Sequence, residues 1–356
     1  TVLVSILNLI VFSDLSNMTE LEKISAYGDI YLYSLVVPII SISGIILAYF
    51  NKQNKLKTLI RNGMEPLKAK NMIFVIPEMT KPNLLIIIGS IIFVIFTLAV
   101  GTSNIKFSQE IVFVGSFAII LFLLIKLSKE LDANAKKMLL GTAIVIFAFR
   151  AMPGVGQGGS WFEIDVLNFD QEFLSLLGLI ASILTIIGIF ILRPLMEKSS
   201  MTKLIVILSI AGSFFILPSI AMFYGFHEYT SKITNGLVDA RFIAIFNTAL
   251  ESPLGQVSMI PILAWIAQSA PSHLKATFFA VLASFTNLAL SASNLGTKYL
   301  NEVFVITREV KTNKGDIKVA EDYSELGMLL IVVCLLTLII PILVTYIIKK
   351  IKLLSY

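Results

Sequence analysis

Charged residues are scarce in this chain. Asp, Glu, Lys and Arg make up 14% of its 356 residues, whereas soluble domains contain about 25%. Hydrophobic residues make up 56%, and the mean hydropathy is +0.88. This composition excludes an ordinary soluble domain and predicts an all-α polytopic membrane protein whose main partner is the lipid bilayer.

Cysteine and histidine are almost absent. The single cysteine, Cys334, lies inside an apolar run, so the sequence has no disulfide framework. The two histidines, His227 and His273, leave too few ligands for a transition-metal site. We therefore expect no metal and no other cofactor.

The excess of basic residues fits a membrane topology better than a nucleic-acid partner. The net charge is +5, but the basic residues lie in short loops rather than in one patch interleaved with aromatic residues. Eighteen of the 28 Lys and Arg residues fall on one predicted side, and Lys349, Lys350 and Lys352 are among the eighteen. By the positive-inside rule this side is cytoplasmic. We expect an integral protein of the cell or inner membrane with a cytoplasmic C-terminus.

Runs of about 20 apolar residues, the length of a membrane-spanning helix, predict nine spans. They are 31–50, 83–101, 110–127, 138–153, 171–193, 201–222, 240–268, 275–298 and 326–348. Residues 1–12 are apolar but too short to span, and we interpret them as the end of a tenth helix.

Nine or ten helices fit a bundle of twelve that is truncated at its N-terminus. On this count residues 1–127 are the remainder of an N-terminal half, which includes a basic cytoplasmic segment at 51–82. Residues 128–137 form a cytoplasmic linker, and residues 138–356 form a C-terminal half of six helices. The oligomeric state is not predicted.

A polar stripe runs along the predicted helix 275–298. Its members recur at spacings of three and four, which places them on one helical face: Thr277, Ala280, Ser284, Asn287, Ser291, Asn294 and Lys298. Small and polar residues at this spacing either pack against another helix or line a polar cavity. The length of the stripe favours a cavity wall that binds a substrate.

The preceding span carries an ionisable residue at membrane depth. Glu251 lies near the centre of 240–268, with Asn247 and Gly255 one turn away on either side. Such a carboxyl either couples transport to protons or forms a structural hydrogen bond. Gln256 is a candidate substrate ligand, although the nearby Pro261 can simply kink the helix.

Three further features have two interpretations each. Arg150, at the end of the span 138–153, either binds an anionic substrate or snorkels to the interface. Asp239 and Arg241 form either a gating ion pair or a solvated pair. The glycine-rich run 153–159 lacks the context of a nucleotide-binding loop and predicts a flexible connection.

Four runs of sequence resemble the folate–biopterin transporter family, a branch of the major facilitator superfamily. They are WFEIDVLNFDQEFL at 161–174, DARF at 239–242, QVSMIPIL at 256–263 and APSHLKATFFAVLASFTNL at 270–288. Two positions depart from the family pattern. Lys275 replaces a usually acidic residue, and Asn247 replaces a common aspartate.

The resemblance implies a secondary active transporter of a small solute, most often a folate or pterin. It also implies alternating access within a major-facilitator-type bundle and coupling to protons. A carrier of a nucleoside, amino acid or peptide is the alternative. A membrane enzyme is disfavoured because the sequence has no His-Glu-x-x-His motif, and we expect no catalytic residue.

Overall fold

A computed structural model of the chain describes residues 2–12, 19–74, 84–103, 105–129, 131–255, 257, 260, 275–311 and 316–353. Helices dominate these residues. They are α1 Val2–Phe12, α2 Glu20–Ser34, α3 Val36–Arg61, α4 Pro66–Ile73, α5 Leu84–Gly101, α6 Ser108–Ser128, α7 Ala133–Arg150, α8 Gln157–Asp165, α9 Gln171–Ile191, α10 Arg193–Lys198, α11 Met201–Phe223, α12 Phe226–Ile233, α13 Ala240–Glu251, α14 Lys275–Val303 and α15 Leu326–Lys350.

Six described segments are long and apolar enough to cross a bilayer. They are Ser25–Arg61, Ser108–Ser128, Gln171–Ile191, Met201–Phe223, Phe278–Val303 and Leu326–Lys350. Two more apolar helices, Val2–Phe12 and Ile87–Gly101, are shorter. The chain is therefore an all-helical, multi-pass membrane protein, as its composition predicts.

Helix α7 begins earlier than the sequence predicts, so the linker before it is shorter. The Asp132 carboxylate accepts a hydrogen bond from the Ala135 N–H at 2.7 Å and caps α7. Such a cap stabilises a helix by about 1 kcal/mol. The helix consequently begins at Ala133, and residues 133–137 of the predicted linker are helical.

The chain packs as two compact units. One consists of Thr1–Asn83 and Gln171–Leu179, and the other of Leu84–Asp170 and Ile180–Tyr356. In the second unit, α14 packs against α6 and α7, and α11 packs against α15. Helix α6, which the sequence assigns to the N-terminal half, thus lies directly against helices of the C-terminal half.

The main apolar core of the second unit is the buried face of α14. Residues at helical spacing on this face, among them Phe278, Val281, Phe285 and Leu288, are buried against α6 and α7. The ring of Phe147 lies 5.4 Å from that of Phe285, centroid to centroid. Burial of this face fixes the rotation of α14 and so determines which residues point away from the core.

A short hairpin connects α14 to α15. Strand β1, Val310–Lys311, pairs antiparallel with β2, Ile317–Val319. At its base Thr307 and Asp322 exchange two backbone hydrogen bonds of 3.0 and 2.9 Å. We refer to residues 307–322 as the hairpin.

Candidate functional site

The polar stripe of α14 lies opposite its buried apolar face. Ala280, Ser284, Asn287, Ser291 and Asn294 are all exposed. The Ser284 and Ser291 hydroxyls donate to carbonyls one turn back in their own helix, those of Ala280 at 2.9 Å and Asn287 at 3.4 Å. The side chain of Thr277 lies outside the described residues. The exposed stripe is a continuous polar surface about four turns long.

The amides of the stripe are available for binding. Among the described residues, the side chains of Asn287 and Asn294 make no hydrogen bond. An amide that joined two helices would be paired across the interface. Each of these amides instead offers two N–H donors and a carbonyl acceptor to a ligand or to water.

A second row of polar residues on α14 holds the glycine-rich loop. Ser293 Oγ donates to Met152 O at 2.6 Å, and Asn301 Nδ2 donates to Val155 O at 3.1 Å. Between them Thr297 Oγ1 accepts from the Gly154 N–H at 2.8 Å. The three α14 residues are four apart, so successive turns reach successive parts of the loop. The sequence predicts a flexible connection here, but the structure shows a loop fixed at three points.

Glycine permits this close approach at two positions. Gly156 has φ +79°, and a Cβ there would lie 2.9 Å from Asn301 Nδ2. On α14, a Cβ on Gly296 would meet the Cβ of Pro153 at 3.2 Å. Larger residues would push the loop away from α14.

A cavity of about 910 Å³ lies where the loop, α6 and α14 meet. We call it the Lys298 cavity. Phe107 and Gly156 line it together with eight residues that have polar side chains: Ser108, Gln109, Glu110, Gln157, Asn294, Thr297, Lys298 and Asn301. Asn294 and Lys298 of the stripe line this cavity, so the stripe leads into it.

An ion pair between α6 and α14 lies in the wall of the Lys298 cavity. Lys298 Nζ is 2.6 Å from Glu110 Oε1. The Tyr299 hydroxyl donates to the same oxygen at 2.8 Å. Sequence analysis assigns no role to Glu110, because its partners are close only after folding.

The span predicted at 240–268 is broken at Glu251. Helix α13 ends there, and residues Ser252–Leu254 form a 3-10 turn. Pro253, in this turn, has no N–H and cannot donate an α-helical hydrogen bond, which weakens the helix at this point. Glu251 is therefore at the exposed end of a short helix and not near the centre of a continuous one. Broken helices of this kind are tolerated at membrane depth where protein surrounds them or a cavity adjoins them.

Helix α9 packs against the 3-10 turn that follows Glu251. The Thr185 hydroxyl donates to Ser252 O at 3.0 Å. One turn further on, a Cβ on Gly188 would lie 2.3 Å from Pro253 O. Only glycine at position 188 allows α9 to lie this close to the 3-10 turn. On the other side of α13, Asn247 Nδ2 donates to Phe215 O of α11 at 3.2 Å, so this amide is structural.

Asp239 and Arg241 do not form the predicted pair. Asp239 caps α13, because its Oδ1 accepts from the Phe242 N–H at 2.8 Å. Arg241 points elsewhere and contacts Asp170 Oδ2 at 2.6 Å and Asn168 O at 3.2 Å. The ion pair at this position thus joins α13 to the segment before α9.

The other two predicted ligands are not brought to the stripe. Arg150 is the last residue of α7 and is partly buried, but it does not line the Lys298 cavity. Gln256 lies outside the described residues. Lys298 is the cation that the cavity wall contains.

The hairpin is attached to α8 by a charged cluster. Arg308 donates two hydrogen bonds to Asp165, at 2.7 and 2.6 Å, and the Tyr323 hydroxyl donates a third at 2.8 Å. The Arg308 bonds hold the pKa of Asp165 below its ordinary value of 3.8. Burial and the bond to Asp165 raise the pKa of Tyr323 to about 12.

Attachment of the hairpin should be insensitive to pH across the physiological range. The lowered pKa of Asp165 contributes stability that is lost only as pH falls below 3.8. The raised pKa of Tyr323 contributes stability that is lost only as pH rises from 10 towards 12. Asp165→Asn should weaken the half-exposed cluster by about 1 to 2 kcal/mol, which corresponds to roughly five- to thirtyfold faster amide exchange. The amide hydrogen exchange rates of Thr307 and Asp322, compared between variants at pH 6 to 9, measure this loss. Glu321→Gln is the control and should exchange like the unmodified protein. Unchanged exchange in Asp165→Asn would show that the cluster does not hold the hairpin.

A smaller cavity of about 240 Å³ lies between α8, α11 and α15. Glu163, Ser160 and Ser219 are its polar lining residues. Burial raises the pKa of Glu163. The Glu163 side chain makes no hydrogen bond to another described residue. Gly156 lines both this cavity and the Lys298 cavity, so one loop separates them.

Similarity to a known protein family extends over most of the chain. A family model described as BT1 family matches residues 11–355. A folate-biopterin transporter from Synechocystis sp. (strain ATCC 27184 / PCC 6803 / Kazusa) is 22% identical over 158 residues, which cover 44% of this chain. The matched region spans only 31% of that transporter. No solved structure matches the chain.

Proposed function

Because the chain belongs to the BT1 family of folate–biopterin transporters, we propose that it is a secondary active transporter of a folate or pterin. The observation that carries the proposal is the exposed polar stripe of α14. Its unpaired amides can bind the donor and acceptor groups of a heterocycle. A carrier of a nucleoside, amino acid or peptide would use the same stripe and is the alternative.

The transport cycle that we propose is alternating access in a major-facilitator-type fold. Two six-helix halves rock about a central site. Residues 1–127 belong to the first half and residues 138–356 to the second, and the C-terminus is cytoplasmic. The broken helix at Glu251 supports this cycle, because discontinuous helices commonly form the sites of secondary transporters.

We assign the proposed roles as follows. Ser284, Asn287, Ser291 and Asn294 line the path of the solute, with Gln256 and Arg150 as further ligands. Glu251 carries the coupling proton, since it is exposed at the end of a broken helix and lacks a hydrogen-bonded partner among the described residues. Arg241 acts at a gate through Asp170, and Asp239 contributes by capping α13.

Uptake into vesicles tests the function. The full-length protein would be reconstituted and offered folic acid, biopterin, a nucleoside, an amino acid and a dipeptide, with and without a pH gradient. We expect accumulation of folic acid or biopterin only when the pH gradient is imposed. Accumulation of one of the other solutes alone would favour the alternative carrier. Uptake that is equal with and without the gradient would exclude proton coupling.

Substitutions on the stripe should impair transport without unfolding the protein. Ser284→Leu and Asn287→Leu each remove polar groups from an exposed surface, so we expect about a tenfold loss of uptake at normal expression. Phe279→Leu, at an exposed position off the stripe, is the matched control and should transport normally. Loss of folded protein in the stripe variants would instead indicate a packing role.

A further inference from the structure

We propose that the Lys298 cavity binds a carboxylate group of the transported solute at Lys298, where the solute displaces Glu110. The inference rests on the proposed function and specifies its substrate class. It predicts that solutes with a carboxylate, such as folic acid, use this cavity, and that pterins without one do not depend on Lys298.

Lys298 is accessible to a solute in a way that its partner is not. Both side chains line the cavity, but that of Lys298 is 37% exposed and that of Glu110 only 19%. An ammonium group has three N–H donors. A solute in the cavity therefore has more access to the cation than to the anion.

Displacement of Glu110 is feasible because Tyr299 remains bonded to it. A buried carboxylate that loses its only partner is strongly destabilised. Glu110 Oε1, however, accepts from both Lys298 and Tyr299. When Lys298 turns to a solute carboxylate, Glu110 keeps the hydrogen bond from the tyrosine hydroxyl.

The rest of the lining suits a large heterocyclic solute. A volume of about 910 Å³ is near the upper end of the range for small-molecule sites. Gln109, Gln157 and Asn294 provide neutral donors and acceptors that can pair with ring heteroatoms. Phe107 is 54% exposed beside them and offers an aromatic face for stacking.

Binding at Lys298 would also release a connection between the proposed halves. Helix α6 precedes the linker and α14 follows it, and the Lys298–Glu110 pair joins them at 2.6 Å. A ligand shifts a conformational equilibrium only through its different affinity for the two states. A solute carboxylate binds more tightly to the state in which Lys298 is separated from Glu110, because it competes with the bond that holds α6 against α14.

The test compares two charge-removing variants with two solutes. Lys298→Gln should raise the KM for folic acid about tenfold and leave the KM for biopterin unchanged. Glu110→Gln removes the competitor and should lower the KM for folic acid or leave it unchanged. Lys311→Gln, which breaks an exposed pair with Glu309 in the hairpin, is the control. Equal losses for both solutes in both variants would show a purely structural ion pair and overturn the proposal.

A labelling experiment separates this proposal from the proposed function. In a Cys334→Ala background, Gln157→Cys places a single thiol in the cavity lining. Folic acid and p-aminobenzoylglutamate should slow its reaction with a maleimide when Lys298 is present, and should not in Lys298→Gln. Protection without uptake would preserve the carboxylate site and reject the transport of folates. Absence of protection by both carboxylates would overturn the site, even if uptake were observed.

Discussion

Glu251→Gln should abolish accumulation of solute against a gradient and preserve counterflow exchange, because we propose that Glu251 carries the coupling proton. The amide has the shape of the protonated carboxyl and cannot release a proton. Exchange needs no net proton movement and should continue. Accumulation driven by a pH gradient and exchange of labelled for unlabelled solute, both measured in vesicles, separate the two steps.

The control for Glu251 is Glu228→Gln, at an exposed acid of α12. It should accumulate solute like the unmodified protein. Gradient-driven accumulation by Glu251→Gln at the normal level would show that Glu251 is structural. The coupling group would then have to be sought elsewhere in the protein.

Gly188→Ala should destabilise the fold by several kilocalories per mole. Its new Cβ would lie 2.3 Å from the oxygen and 2.4 Å from the Cα of Pro253, and both are backbone atoms that cannot rotate away. Overpacking of this kind costs about 1 to 3 kcal/mol and sometimes more. The melting temperature in detergent should fall, and uptake should fall with it because the break after Glu251 is displaced.

Gly178→Ala, on the same helix, is the matched control. A Cβ there meets no atom within 4 Å, and alanine is favoured over glycine in a helix by about 1 kcal/mol. Its melting temperature should stay equal or rise. Equal melting temperatures for the two variants would mean that α9 does not lie against the 3-10 turn as closely as the structure shows.

Helix positions followed well from the sequence where long apolar runs define them. The spans predicted at 110–127, 171–193, 201–222 and 326–348 match described helices to within two residues at each end. The span at 240–268 did not, because apolar composition continues through Pro253 while the α-helix does not. The prediction gave weight only to Pro261, and a proline alone would not have marked the break, since Pro218 and Pro341 lie inside continuous helices.

The site was less predictable than the helices. The stripe through Ser284 and Asn287 follows from helical periodicity alone, and the structure places these residues on one exposed face. The Lys298–Glu110 pair joins residues 188 positions apart, and no periodicity reveals such a contact. The pairing of Arg241 with Asp170 was likewise missed, since the nearest acid in sequence, Asp239, is used as a helix cap.

The contact between α14 and the glycine-rich loop has a consequence for natural variation. Ser293, Thr297 and Asn301 bind backbone atoms of the loop and none of its side chains. Loop residues other than glycine can therefore be substituted without loss of these hydrogen bonds, whereas the length of the loop cannot change. A one-residue insertion between Met152 and Val155 would move a carbonyl or N–H away from its partner. Related chains should accordingly vary in loop sequence and keep both its length and the four-residue spacing of its partners.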